Sequence, residues 1–252
     1  MISYESFLRS IKIARTDFPN PDSYPFNIQA IRHLDQLDFH PQVTFIVGEN
    51  GAGKSTLMEA MAIACGFNAE GGTRHFNFAT QSTHSELHQY ICLIRSVRKP
   101  RDGFFFRAES YYNLATNIDE LDQQNIASPQ IRDSYGGKSL HEQSHGEAFF
   151  ATFLHRFSGN GLYILDEPEA ALSPLRQLSM LARLHELVEQ NSQFIISTHS
   201  PILMAYPNSI IYYLGENGVE VRTLEETDHY LIMKQFLNNK DKMMNELFGN
   251  NE

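Results

Sequence analysis

The chain has 252 residues, 42% of them hydrophobic and 20% charged, enough for one sizeable core and short of what two would need. Its 30 acidic and 20 basic side chains give a net charge of −10, which excludes general polyanion binding by the whole surface and leaves room only for a local basic patch. No apolar run approaches the roughly 18–20 residues that cross a bilayer, and the opening MISYESFLRSIKIAR lacks the apolar stretch of a secretory signal, so a cytoplasmic protein without a transmembrane segment is expected.

The first predicted element is a strand over Arg9–Arg15, followed by a turn at PNPDSYP. Val43–Val47 is a β-branched run ending at a glycine, short and apolar enough for a buried central strand. Ser55–Cys65 contains helix formers and ends at Gly66, so strand, glycine-rich loop and helix follow in order. Gln89–Val97 and Gly103–Ala108 are predicted to pair across RKPRD as a hairpin. A polar helix spans about 111–121, a Gly-Gly-Lys-Ser loop lies at 136–139, and 146–157 is apolar at helical spacing. Gly161–Leu165 is a strand, Leu175–Gln190 a helix with Leu178, Leu181, Leu184 and Leu187 on one face, and Gln193–Ser197 another strand. From Asp228 onward, Met233, Leu237, Met244 and Leu247 fit one face of a helix docked on the body. Cys65 and Cys92 are too far apart in sequence for a zinc ribbon or disulfide framework and are read as buried small apolar residues. Alternating strands and helices indicate an α/β fold with a mainly parallel sheet.

The strongest chemical signal is Gly48-Glu49-Asn50-Gly51-Ala52-Gly53-Lys54-Ser55, a complete GxxxxGK[ST] between a predicted strand and a predicted helix. Glycines let backbone N–H groups turn inward around phosphates, the helix start adds partial positive charge, Lys54 adds a cation and Ser55 can ligate Mg²⁺; Thr56 follows in the first helical turn. The strand ending at Leu165 delivers Asp166 and Glu167 to its carboxyl edge, Asp166 suited to magnesium and Glu167 to activating a water as general base. Taken alone, the two acids also fit the start of a helix before Pro168. His199, after Gln193–Ser197, can donate to a γ-phosphate or orient the water.

Together these residues resemble the nucleotide-binding domain of ABC-type P-loop ATPases, with Walker A at Gly48–Ser55, Walker B at Leu162–Glu167 and a switch histidine at His199. Gln143-Ser144-His145-Gly146-Glu147, with Ser144 lying 22 positions before Asp166, is similar to the family signature LSGGQ but carries Gln143 for leucine and His145 for the first glycine. Ser144 and Glu147 equally form a helix capping box. Ala171-Leu172-Ser173-Pro174 resembles the D-loop, although a proline-started helix turn explains Ser173 as well. Gln81, Gln89 and Glu109 remain alternatives for the Q-loop position, and Tyr24 and Phe26 are either base-stacking or core residues.

The resemblance implies ATP and Mg²⁺ as ligands, ATP hydrolysis, and an ATP-dependent homodimer in which Ser144, Gly146 and Glu147 of one subunit meet nucleotide gripped by Glu49–Thr56 of the other. It further implies one ATPase domain over 1–252, with core at 1–110 and 144–224, a helical lobe at 111–143 and a helical tail at 225–252. Only 90 positions separate Lys54 from Ser144, leaving no room for the long coiled coils of the chromosome-condensation branch. The DEPEAALSP and SHGE strings look more like soluble stand-alone ATPases related to the recombination and repair group than like transporter subunits, and the short tail argues against an appended nuclease. A transporter ATP-binding subunit and a nucleotide-gated switch with little turnover remain the alternatives. Arg95, Arg98, Lys99 and Arg101 form the basic cluster, a nucleic-acid contact or a solvated hairpin tip. The protein partner and the process served are not encoded in any motif.

Overall fold

The computed structural model describes residues 5–74, 85–124, 130–135, 137 and 145–249. Two sheets organise it. A small antiparallel sheet has the order β2-β1-β4, where β1 is Leu8–Ile13, β2 Gln36–Asp38 and β4 Ile91–Arg95. The larger sheet has the order β5-β6-β7-β3-β8-β9, where β3 is Val43–Gly48, β5 Asp102–Arg107, β6 Gly161–Asp166, β7 Gln193–Ser197, β8 Ser209–Gly215 and β9 Gly218–Arg222. All its neighbouring strands are parallel except β8 and β9, an antiparallel edge pair. This is the α/β, mainly parallel sheet with added antiparallel strands that the sequence implies.

Strands β3, β6 and β7 are buried at every position, because apolar layers cover both faces of the sheet. On one side lies α2 (Lys54–Ala64), with Leu57, Met58 and Met61 packed in a core shared with Ile11 of β1 and Ile46 of β3. On the other lie α3 (Tyr111–Gln124), α4 (His145–His155) and α5 (Pro174–Glu189), burying Ile118, Phe149, Phe153 and Leu184 against Phe45, Tyr163 and Phe194. Two short helices, α1 (Gln29–Arg32) and α6 (Pro201–Met204), complete the body, and α7 (Asp228–Asn238) and α8 (Lys240–Phe248) form the tail.

Four expectations need correction. The strands flanking RKPRD are not a hairpin: β4 pairs with β1 in the small sheet, whereas β5 pairs in parallel with β6. The apolar Phe104-Phe105-Phe106 run needs cover on both faces, available only in the large sheet. Cys65 is buried, but Cys92 is exposed on β4. The buried face of α5 is Met180, Leu184, Leu187 and Val188; Leu178 is 55% exposed, and Leu181 is only partly buried. The tail does not bury its apolar stripe, since Met233, Leu237 and Leu247 are 50%, 69% and 70% exposed and neither tail helix contains a buried residue. The loop at 136–139 lies outside the described residues except for Gly137.

Candidate active site

The register of the large sheet brings three loops to one edge. Ser197 at the end of β7 pairs with Ile46 of β3 on one side and with Asp166 of β6 on the other. The loop after β3, the acids after β6 and the histidine after β7 therefore converge at the carboxyl ends of adjacent parallel strands, where open α/β sheets bind ligands.

The loop after β3 closes on itself through backbone geometry. Gly51 and Gly53 have φ of 83° and 96°, a region that favours glycine, and Gly53 caps the start of α2. Glu49, Asn50 and Gly51 are exposed and Ala52 is half-buried. Lys54 is buried, its Nζ donating to the carbonyls of Gly48 and Glu49 at 3.0 Å each, so the ammonium spans the loop it would share with phosphates. Burial lowers its pKa, an effect partly offset by Glu167, Asp166 and Glu169. Ser55 Oγ donates to Asp166 Oδ1 at 3.3 Å. Thr56 Oγ1 pairs instead with the hydroxyl of Tyr24 at 3.2 Å.

Asp166 is almost fully buried, and burial raises its pKa against the hydrogen bonds from Ser197 and Ser55 that favour the carboxylate. Glu167 has φ of 50°, an uncommon conformation for a residue with a side chain, held by its N–H donating to the Ser197 carbonyl at 3.1 Å. Its carboxylate Oε1 lies 3.3 Å from His199 Nε2. The His199 backbone N–H donates to Glu169 Oε1 at 2.6 Å. Burial and the Lys54 charge lower the His199 pKa, so the ring is biased towards neutrality.

Lys54, Ser55, Asp166, Glu167 and His199 thus share one site. Ser144 is outside the described residues. Gly146, in the first turn of α4, sits against the segment after Glu167: a Cβ there would stand 2.1 Å from the Ala171 carbonyl oxygen. Glu147 is exposed beside it. Ser173 caps α5, accepting the Arg176 N–H at 3.4 Å with Pro174 at the first helical position. Phe26 is a core residue, 4.4 Å from the Phe18 ring and edge-on to Tyr90, while Tyr24 is 66% exposed. A cleft of about 420 Å³ beside the loop is lined by residues including Ile28, Ala52, Tyr213 and Glu216. Among the Q-loop alternatives, Glu109 is exposed and ion-paired with Arg107 at 3.1 Å, Gln89 lies in the 3-10 turn Glu86–Tyr90, and Gln81 falls outside the described residues. Of the basic cluster, Arg98 is occupied by the Phe7 ring and by Asn160.

Residues 26–143 match a family described as AAA domain, and residues 138–204 match one described as AAA ATPase domain. The macrolide export ATP-binding/permease protein MacB of Photorhabdus laumondii is 26% identical over 90% of this chain and 37% of its own length. A putative ABC transporter ATP-binding protein of Methanothermobacter thermautotrophicus is 25% identical over 78% of this chain and 74% of its own. The chain is similar to ABC-type P-loop ATPase domains. The chain spans little more than a third of the length of the first of those relatives. Among solved structures, cbiO1 from Clostridium perfringens aligns with 86% of this chain and 91% of its own, at 18% identity and a TM-score of 0.43. Among the described residues, no helix is long and apolar enough to cross a membrane.

Sequence reasoning missed three groups that shape this site. Ser197 bonds Asp166, Glu169 holds the His199 backbone, and His229, from the first turn of α7, reaches the His199 ring. The acidic string Asp166-Glu167-Pro168-Glu169 carried a signal for Glu169; nothing local distinguishes His229.

Proposed function

We propose that the chain hydrolyses ATP in a Mg²⁺-dependent reaction at this strand edge, within an ATP-sandwiched homodimer. The observation that carries the reading is the convergence of Lys54, the Ser55–Asp166 pair at 3.3 Å, and the Glu167–His199 pair at 3.3 Å.

A hydroxyl and a carboxylate are hard oxygen donors of the kind Mg²⁺ takes alongside phosphate oxygens and water, so Ser55 and Asp166 fit the ion. Mg²⁺ would supply neutralisation of charge on the β- and γ-phosphate oxygens. The backbone from Glu49 to Thr56 cradles the phosphates, and Lys54 exchanges its carbonyl partners for phosphate oxygens as the triphosphate enters. Glu167 takes a proton from the attacking water as general base. His199 donates Nε2–H to the γ-phosphate side and stabilises charge developing there.

Ser144, Gly146 and Glu147 of one subunit serve the nucleotide of the other. Contact between Gly146 and Ala171 within each subunit links that face to the segment following the general base. The location consistent with this reading is the cytoplasm.

Phosphate release by wild type, Glu167→Gln and Lys54→Ala tests hydrolysis, and sedimentation with Mg²⁺ and ATP tests the sandwich. Glu167→Gln lowers turnover by about 10²–10⁴-fold and accumulates as a dimer with ATP. Equal phosphate release by all three proteins refutes the hydrolytic reading and leaves a nucleotide-gated switch; a Glu167→Gln protein that stays monomeric under saturating ATP and Mg²⁺ refutes the sandwich.

A second reading, favoured by what the relatives are called, is an ATP-binding subunit serving a membrane transporter. Recovery of the chain with membranes, released by detergent rather than by salt, distinguishes it from a stand-alone soluble ATPase.

A further inference from the structure

His199 has a polar neighbour near each ring nitrogen. Nε2 faces the Glu167 carboxylate at 3.3 Å, and Nδ1 lies 2.8 Å from Nε2 of His229. The two rings meet edge-on, with centroids 4.9 Å apart and planes at 61°. His229 belongs to the tail, yet its turn is tied down. Thr227 is fully buried and donates to the Leu224 carbonyl at 2.7 Å, and the Thr223–Glu226 capping box closes the turn before it. Arg222 lies over the Tyr213 ring and 3.8 Å from Asp228. Beyond this first turn the tail helices bury nothing.

One hydrogen bond joins the two rings, and the charge of Glu167 beside His199 Nε2 selects between its two neutral arrangements. His199 Nε2 makes no hydrogen bond among the described residues, but at 3.3 Å from an acceptor-only carboxylate an N–H is electrostatically favoured there over a lone pair. His199 Nδ1 is then an acceptor, and His229 Nε2 must be its donor. The opposite tautomers would aim a lone pair of His199 at an anion. His229 Nδ1 has no hydrogen-bond partner among the described residues, so no competing protein group claims the other His229 tautomer.

We infer that His229 is a positioning residue for ATP hydrolysis, its Nε2–H holding the His199 ring in orientation and in the tautomer that presents Nε2–H to the phosphate side. This gives the start of the C-terminal tail a direct role in the ATP site. The inference rests on the proposed role of His199.

The variants His229→Phe and His229→Gln separate shape from hydrogen bonding, since phenylalanine keeps a ring without a donor and the glutamine amide restores one. His229→Phe lowers kcat about tenfold with KM for ATP unchanged, the scale of one positioning hydrogen bond, and His229→Gln recovers most of the loss. In a His199→Ala background, His229→Phe has no further effect. Independently of turnover, ¹⁵N spectra of the imidazole rings in nucleotide-free protein show His199 protonated at Nε2, with that preference lost in His229→Phe. A wild-type His199 protonated at Nδ1, a His229→Phe protein with wild-type kcat beside an impaired His199→Ala, or additive losses in the double variant would each overturn the inference. A His199→Ala protein with unchanged kcat would instead remove the underlying role of His199.

Discussion

Replacing Gly53 by alanine probes how tightly the phosphate loop is specified. At φ of 96°, an alanine takes on a left-handed backbone cost of about 1–2 kcal/mol. Its Cβ would stand 2.7 Å from Ile28 Cγ2, about 0.7 Å short of ordinary contact, and overpacking of this kind costs about 1–3 kcal/mol before neighbours relax. With partial relaxation of Ile28, the expected loss is about 2–3 kcal/mol, or about 4–12 °C in Tm for a chain of this size. Thermal melting of nucleotide-free protein measures it, and calorimetry with ATP and Mg²⁺ measures whether the displaced loop also loses affinity. The double variant Ile28→Ala/Gly53→Ala, compared with Ile28→Ala, keeps the backbone cost and removes the clash, so Gly53→Ala costs less there. A Gly53→Ala protein indistinguishable from wild type in both Tm and Kd would refute the claim that this glycine's backbone and its contact with Ile28 shape the loop.

Arg107→Ala leaves the Glu59 carboxylate, only 10% exposed, without its guanidinium, and should cost about 3–5 kcal/mol in urea unfolding. Leucine at both positions recovers much of that loss, and a cost below about 1 kcal/mol for Arg107→Ala would refute the buried pairing. His40 Nδ1 accepts the backbone N–H groups of Gln42 and Val43, and burial lowers its pKa below the ordinary 6.5. The unfolded chain therefore binds more protons as pH falls from 6.5 through the depressed folded value, so this contribution is complete above pH 6.5 and lost below it. Denaturation midpoints across that window fall with acidity and fall less steeply in His40→Gln; an identical slope in the variant would refute the assignment.

The candidate site was legible where its chemistry is local. Gly51, Gly53, Lys54 and Ser55 occupy fixed positions between an apolar strand and a helix, and positive φ at the glycines is a demand that can be read from residue type. Asp166, Glu167 and His199 each follow a short apolar run, and parallel strands present such ends on one edge. His229 stands 30 positions beyond His199, and no spacing rule of a strand or helix connects the two. The tail's periodic apolar residues were legible as helical, but not as two helices broken at Asn239 nor as an undocked stripe, because periodicity records a stripe and not what covers it.

The sequence by itself determined the main strands and helices around the site, the conformation of the phosphate loop, and the order in which its acids and histidine leave the sheet, but not β2, β8, β9 or the short helices α1 and α6. Tertiary structure alone decided that β4 and β5 join different sheets, which face of α5 is buried, and which group holds the His199 ring. The physical reason is that backbone preference and the demand for burial are written in neighbouring residues. Every strand, by contrast, offers the same N–H and C=O edge, and a side chain's distant partner is fixed only when the whole set of layers is packed together.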